Sequence, residues 1–222
     1  MKGLLVKILY LKKFSKLNRA AAILLAAGKS SRMKAIKALL PWCRTNLLSY
    51  SVDSIIKAGY SPLVVVLGYE APRLNPHIPI SATTVVNEDY LTGKSSSIIK
   101  GIKTLESLCL NLDSVLITSV DQPRSVELLS VLREALQNST EDTLIASPIS
   151  EGRIGHPTIF NFSLQKELLE ISEESKGIRA VVSRHHDKRL LVSTSDPLAL
   201  TNLNTISDYQ AALHSMNSEF IE

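Results

Sequence analysis

The chain has 222 residues, 45% apolar, 21% charged and 5% aromatic, with 9 Gly, 9 Pro and 2 Cys. At roughly 150 residues per domain this suggests one domain or one with a small annex, and the mixture excludes repeat arrays, collagen-like chains and wholly disordered tails. The formal charge of +4 is concentrated in residues 1–20, where Lys2, Lys7, Lys12, Lys13, Lys16 and Arg19 meet no acid, leaving 19 bases against 21 acids beyond them. A slightly acidic body is not that of a basic nucleic-acid binder.

Residues 1–20 are expected to be a basic N-terminal extension. Their apolar stretch, Leu4 to Leu11, is interrupted by Lys7 and followed by further bases, which argues against a signal peptide. No segment approaches the roughly 20 apolar residues of a membrane span. Cys43 and Cys109 form no CxxC pair and the histidines lack i, i+4 spacing, so neither a disulfide framework nor a zinc site is built from them. A reducing, cytoplasmic compartment is the expected setting.

From Ala21 onward, short apolar runs alternate with helix-period stretches. Ala21 to Ala27, Leu63 to Leu67, Val115 to Ser119 and Thr143 to Ala146 predict buried strands. Between them Leu48, Val52, Ile55 and Ile56, then Ile98, Ile99, Ile102 and Leu105, then Leu128, Leu129, Leu132 and Leu136 recur at helical spacing. Alternation of this kind predicts right-handed crossovers and a three-layer α/β/α fold, Rossmann-like, with a mostly parallel sheet. Residues 151–189, rich in Gly and turn residues, predict an inserted lobe over that sheet, with a strand Thr158 to Phe160 and an acidic helix near Gln165 to Glu174. The domain is expected to span 21–213, with 214–222 as a tail.

Ligands of an open parallel sheet bind at the carboxyl ends of its strands. After the first strand that place reads Leu25, Ala26, Ala27, Gly28, Lys29, Ser30, Ser31, Arg32, Met33, with Lys37 shortly beyond. Small residues let a ligand approach the backbone, whose consecutive amides form an anion nest, and Lys29, Arg32 and Lys37 add charge. The loop predicts phosphate binding, yet it is neither GxxxxGK[ST] nor GxGxxG.

LAAGKSSRMKAIKALLPW resembles the LAAG-x-S-x-RM-G-x-x-K-x-L-L signature of nucleotidyltransferases of the molybdenum-cofactor cytidylyl/guanylyltransferase type, the MobA/MocA-like family. Further similar segments follow in family order: Asn87 to Gly101, Asp121 with Pro123, Gly155-His156-Pro157, Lys176 to Arg179, and Asn202 to Asp208. Lys34 stands where the family usually has Gly, and Ile206-Ser207 replace Pro-Glu. The resemblance implies the nucleotide-diphospho-sugar transferase type of fold and a Mg2+-dependent transfer of CMP, or of GMP, to a phosphorylated pterin-type acceptor with release of diphosphate.

The roles it implies attach to particular residues. Backbone amides of Ala27 to Ser31 hold the triphosphate, Arg32 the leaving diphosphate and Lys37 the charge growing at the α-phosphate. Gly93 and Ser97 lie beside the base, while a serine of 95–97 also caps the following helix. Asp121, just past an apolar run, either holds Mg2+ or opens a turn, and Asn202 or Asn204 adds a second oxygen or merely forms a turn. His156, Lys176 and Arg179 face the acceptor, with His156 also readable as a structural turn residue. Ala26-Ala27-Gly28 is similar to the loop of CTP users, whereas Asn202 to Thr205 looks more like the GTP branch. Two rival readings remain open: a sugar-phosphate nucleotidyltransferase, and a non-catalytic NTP-binding module that docks on a molybdoenzyme or its chaperone.

Overall fold

Seven consecutive buried residues, Ala20–Ala26, form β1 at the centre of the fold, and their alternation divides the interior in two. Ala20, Ala22, Leu24 and Ala26 point into a cluster with Val52, Ile55, Leu129 and Leu132. Ala21, Ile23 and Leu25 point into another with Ile98, Ile102, Leu168 and Val181. A strand covered on both faces needs no polar side, which is why its sequence is a continuous apolar run. This computed structural model describes residues 19–30, 33, 35–108 and 111–219, without the side chains of 216–219. The readings made on the leader 1–18, on Ser31, Arg32 and Lys34, on Cys109 and on 220–222 lie outside the described residues.

In chain order the further elements are a hairpin, β2 (Pro41–Trp42) and β3 (Thr45–Asn46), then α1 (Leu47–Lys57), β4 (Leu63–Leu67), α2 (Ala71–Leu74), β5 (Thr83–Val86), α3 (Lys94–Ser107), β6 (Ser114–Ser119) and α4 (Val126–Gln137). They continue with β7 (Ile145–Ser150), β8 (Arg153–Ile154), β9 (Thr158–Asn161), α5 (Gln165–Leu169), α6 (Ile178–Arg184), β10 (Arg189–Ser193) and α7 (Ile206–Glu219). The last helix runs through the boundary expected at 213. Asn46 and Ser125 cap α1 and α4 by accepting from the Ser49 and Leu128 amides at 2.9 and 3.0 Å.

The main sheet has the order β10-β7-β9-β6-β1-β4-β5, with β8 paired to β7. β1 is parallel to β4 and β6, β4 to β5, and β10 to β7, whereas β9 is antiparallel to both neighbours. A mostly parallel sheet with helices on both faces therefore stands as expected. The inserted lobe does not: Thr158–Asn161 is a strand of the main sheet, with Ile159 buried in one core cluster and Phe160 in the other. Burial of such a side chain is worth about 1.5–3 kcal/mol, enough to draw a short apolar run into the sheet despite its irregular surroundings.

Other expectations shift in detail. The strand expected at Thr143 begins at Ile145 and extends to Ser150. The acidic helix ends at Leu169 rather than Glu174. β5 and β10 carry alternating or mixed burial, TTVV and RLLVS, and gave no continuous apolar run to detect.

Candidate active site

Chain direction places the carboxyl ends of β1 and β6 side by side, with the Val120 amide donating to the Leu25 carbonyl at 3.0 Å. There a cavity of about 340 Å³ opens, bordered by Leu25, Ala27, Gly28 and Ser30 from β1 and its loop and by Ser119, Val120 and Asp121 from the end of β6. Lys37, at the start of a 3-10 turn, closes one side, and Tyr90, Gly93, Lys94 and Ser97 another. Asn204 completes the wall. Of the predicted nucleotide residues, Leu25, Ala27, Gly28, Ser30, Lys37, Gly93 and Ser97 thus meet in one place.

Among the described residues a Cβ added to Gly28 would meet nothing within 4 Å, so none of their contacts requires glycine there and the backbone is open to the cavity. Ser30 follows with a left-handed φ of 53°, its carbonyl accepting from the Met33 amide at 3.0 Å. Lys29 turns away from the cavity and lies 5.8 Å from the Tyr69 ring. Ala26 is buried in the core rather than on the wall. The Ala27 methyl is only slightly exposed, and a Cβ on Gly68 would fall 2.9 Å from it. That close approach is what keeps position 68 free of a side chain.

Lys37 and Asp121 form the electrostatic centre. Lys37 Nζ lies 3.5 Å from Asp121 Oδ2, with the two side chains 10% and 26% exposed. Asp121 Oδ1 is buried without a hydrogen-bond partner. An orphaned carboxylate oxygen in a polar cleft is costly unless a cation or water meets it, which fits a divalent metal. Among the described residues no three His, Cys, Asp or Glu side chains gather to hold an ion by themselves. That donor set suits magnesium, which takes one or two protein oxygens and completes its shell with phosphate and water.

The second oxygen is better placed at Asn204 than at Asn202. Asn202 Oδ1 already accepts from Gln122 Nε2 at 2.6 Å and the residue is absent from the cavity wall, whereas Asn204 lies on it.

The start of α3 is organised by a residue the sequence did not single out. Gly93, at φ 121° and ψ 179°, precedes the helix, and no serine caps it. Instead Glu173, from the loop after α5, accepts from the Ser95 amide at 2.7 Å, and these amide bonds lower its pKa. A Cβ on Gly93 would come within 2.4 Å of the Glu173 side chain, and one on Gly177 within 3.0 Å of Ser95 Oγ. The serines serve inward: Asn87, almost wholly buried, donates to Ser96 Oγ and Ser97 Oγ at 2.9 and 3.0 Å.

The proposed acceptor residues are less tightly gathered. His156, Lys176 and Arg179 are exposed and none borders the 340 Å³ cavity. His156 is nevertheless held by its backbone, which donates to the Ala199 carbonyl at 3.1 Å. Partial burial, then the charges of Arg124, Lys94 and Arg189, lower its pKa to about 4 against the opposing pull of Asp121. Because the ring is solvent-accessible, the clustered cations are the firmer cause. His156 is therefore a neutral hydrogen-bonding group at pH 7. Lys94, which lines the cavity and contributes to this field, was missed although it stands between Gly93 and the serines of a segment already singled out. Its chemistry is legible only once α3 is seen to start at the cavity.

A mostly parallel sheet with a loop of small residues after its first strand, and with a lysine and an aspartate facing each other across the cleft, is the arrangement of a nucleotidyltransferase, and the family match bears that class out. Residues 22–189 match the MobA-like NTP transferase domain, and the chain belongs to that family. The fold is similar to Rv0371c from Mycobacterium tuberculosis H37Rv, with 23% identity over 89% of this chain and 98% of that one and a TM-score of 0.73; that protein is also solved as a complex with manganese. A cytidylyltransferase from Leptospira borgpetersenii superimposes with a TM-score of 0.68 at 16% identity, over 88% of this chain and 85% of the other. The bifunctional protein GlmU of Geobacter sulfurreducens is 35% identical over 79 residues, which is 34% of this chain and 17% of GlmU. No helix of the described residues is long and apolar enough to cross a membrane.

Proposed function

We propose that the chain joins CMP from CTP to the phosphate of a molybdopterin-type acceptor and releases diphosphate, with Mg2+ as the cofactor. The observation that carries the reading is the Lys37–Asp121 pair, 3.5 Å apart beside the Gly28 loop, with one aspartate oxygen left unpartnered. In this transfer an acceptor phosphate oxygen attacks the α-phosphorus in line, the bond from that phosphorus to the β-bridging oxygen breaks, and the electron pair leaves with diphosphate. The protein supplies position and charge.

Backbone amides of the 27–30 loop are suited to the triphosphate, as Arg32 is to the departing diphosphate by resemblance. Lys37 offsets charge growing at the α-phosphate. Asp121, with Asn204, is the pair we assign to the metal, whose chemistry is to neutralise phosphate charge and orient the groups. Lys94, neutral His156, Lys176 in the loop before α6 and Arg179 in its first turn are assigned to the acceptor, with arginine able to grip phosphate by two bonds. The cytidylyltransferase of similar fold supports the pyrimidine nucleotide.

A GTP-using reading is favoured by one observation: the Ala27 methyl packs toward Gly68, which weakens the case that it excludes a purine. Diphosphate release from CTP or GTP, with Mg2+, with and without molybdopterin, tests the assignment. Release that needs both CTP and acceptor supports it; a binding module releases none.

A further inference from the structure

Asp121 and Asn204 come from distant parts of the chain, yet they share one cavity wall. A strip of bonds between residues 121–125 and 196–203 brings them together. The Leu203 amide donates to the Asp121 carbonyl at 2.8 Å, Gln122 Nε2 donates to Asn202 Oδ1 at 2.6 Å, and Ser125 Oγ donates to Asp196 Oδ2.

Arg124 occupies the middle of this strip. Its Nη1 donates to the Thr201 carbonyl at 2.9 Å, to the Leu198 carbonyl and to its neighbour Pro123 at 2.8 Å. The side chain is 2% exposed, and its Nε and Nη2 have no partner. With Thr118, whose hydroxyl is also unpaired, Arg124 lines a void of about 10 Å³, room for one water and no larger ligand. A charge buried against main-chain carbonyls is an expensive way to fill core space, since an apolar side chain of similar volume serves as well or better for stability. Its return must lie in what those carbonyls carry, and the next residues after Thr201 lead straight to Asn204.

We propose that Arg124 is a positioning residue for the transfer: its guanidinium clamps the 198–201 turn to the end of β6 and so sets Asn204 opposite Asp121. The proposal rests on the metal-dependent reading of the site given above. It separates cleanly from a purely electrostatic role. Removing a cation near Asp121 strengthens binding of a divalent ion if charge alone matters, whereas releasing the clamp weakens it.

The test is Mn2+ binding by the full chain in the presence of CTP and without acceptor, followed by electron paramagnetic resonance. Arg124→Met should bind Mn2+ about 10-fold more weakly or worse, the range found when groups that orient metal ligands are lost. CTP affinity without metal should stay within about threefold, since the clamp does not touch the 27–30 loop. Asn204→Ala should also weaken Mn2+, and the double variant should be no worse than Asn204→Ala alone, because Arg124 acts through that one group. Unchanged or tighter Mn2+ binding by Arg124→Met, or fully additive losses, overturns the proposal. If Arg124→Met fails to fold, Gln122→Leu, which cuts the more exposed link to Asn202, decides: weaker Mn2+ binding supports the clamp and unchanged binding overturns it. A wild-type chain that binds no Mn2+ with CTP brings down the functional reading and this inference together, whereas a wild type matched by its variants brings down the inference alone.

Discussion

The strands on the two sides of β6 serve the site differently. Toward β1, β4 and β5 the sheet is parallel, and the nucleotide residues follow directly from strand ends: Gly28 and Ser30 from β1, Asp121 from β6. Toward β9 and β7 the chain doubles back, and Asn204, at the end of the 196–204 segment, reaches the cavity through contacts with residues far away in sequence, while His156 stays off its wall. The contrast separates two ways of building a site: a strand end can present a side chain with local structure alone, whereas the side we assign to the acceptor depends on distant segments holding one another. Substitutions in the first region should act on chemistry with the fold intact, and those in the second on position and stability.

Asp121→Asn gives the largest expected effect on the nucleotide side, a fall of about 10³-fold in turnover at saturating Mg2+, since a nearly isosteric amide loses the charge that meets the cation. Thermal melting should reflect a loss of no more than about 1 kcal/mol, the worth of one partly exposed ion pair, because Asp121 Oδ1 makes no protein hydrogen bond and Oδ2 meets only Lys37, at 3.5 Å. A collapse of stability together with activity would identify Asp121 as a turn residue instead. Next, Lys37→Ala should lower kcat by about 10²-fold, roughly 3 kcal/mol, while CTP affinity stays within about threefold, because the charge it offsets grows in the transition state. Activity within threefold of the parent removes Lys37 from the mechanism.

On the other side, Gly155→Ala should cost stability first. Its new Cβ would lie 2.3 Å from the Ala199 carbonyl oxygen, a backbone atom that has little freedom to retreat. A loss of about 1–3 kcal/mol in urea melts is expected, with acceptor KM raised more than CTP KM. An unchanged melt would mean that this close approach is not maintained in solution.

A smaller effect concerns pH. A histidine held at about 4 in the native state and near 6.5 when unfolded takes up its proton only on unfolding across that window. His156 should therefore contribute no loss of stability above pH 6.5 and a growing loss as pH falls from 6.5 toward 4. Its ring resonances should not titrate between pH 5 and 8, and a midpoint near 6.5 would refute the cationic surroundings. Smallest of all, Ala27→Gly should change the CTP to GTP ratio in a competition assay by less than about 10-fold, since one methyl is worth about 1–3 kcal/mol at most and this one is largely engaged by Gly68. A larger swing toward GTP would return the methyl to the role of base discriminator.

The residues themselves explain how much of this was legible. LVVVL at 63–67 and VLITS at 115–119 betray buried strands because both faces are covered, and the ends of β4 and β6 agree with those runs to within a residue. Gly28 and Asp121 could be placed at the cavity from sequence because each follows a strand end by two positions, whereas Lys37, eleven residues past β1, was picked out by the charge pattern of its loop and the family resemblance. Glu173 was not, for its partner amide at Ser95 lies on a separate helix and nothing local distinguishes it from other exposed acids. Arg124 was hidden for a similar reason: in sequence it is one more base after a proline, and only its burial against the 198–201 carbonyls reveals its part.

By itself the sequence determined the alternation of strand and helix, the parallel core and the small-residue loop after β1, since hydrophobic periodicity and turn chemistry act over a few residues. Only the tertiary structure decided that Thr158–Asn161 enters the sheet antiparallel between β6 and β7, and that Asn204 rather than Asn202 borders the cavity. Strand order and the facing of distant loops are set by which apolar surfaces cover one another and which buried polar groups find partners. Those are properties of the assembled interior, and no short window of residues contains them.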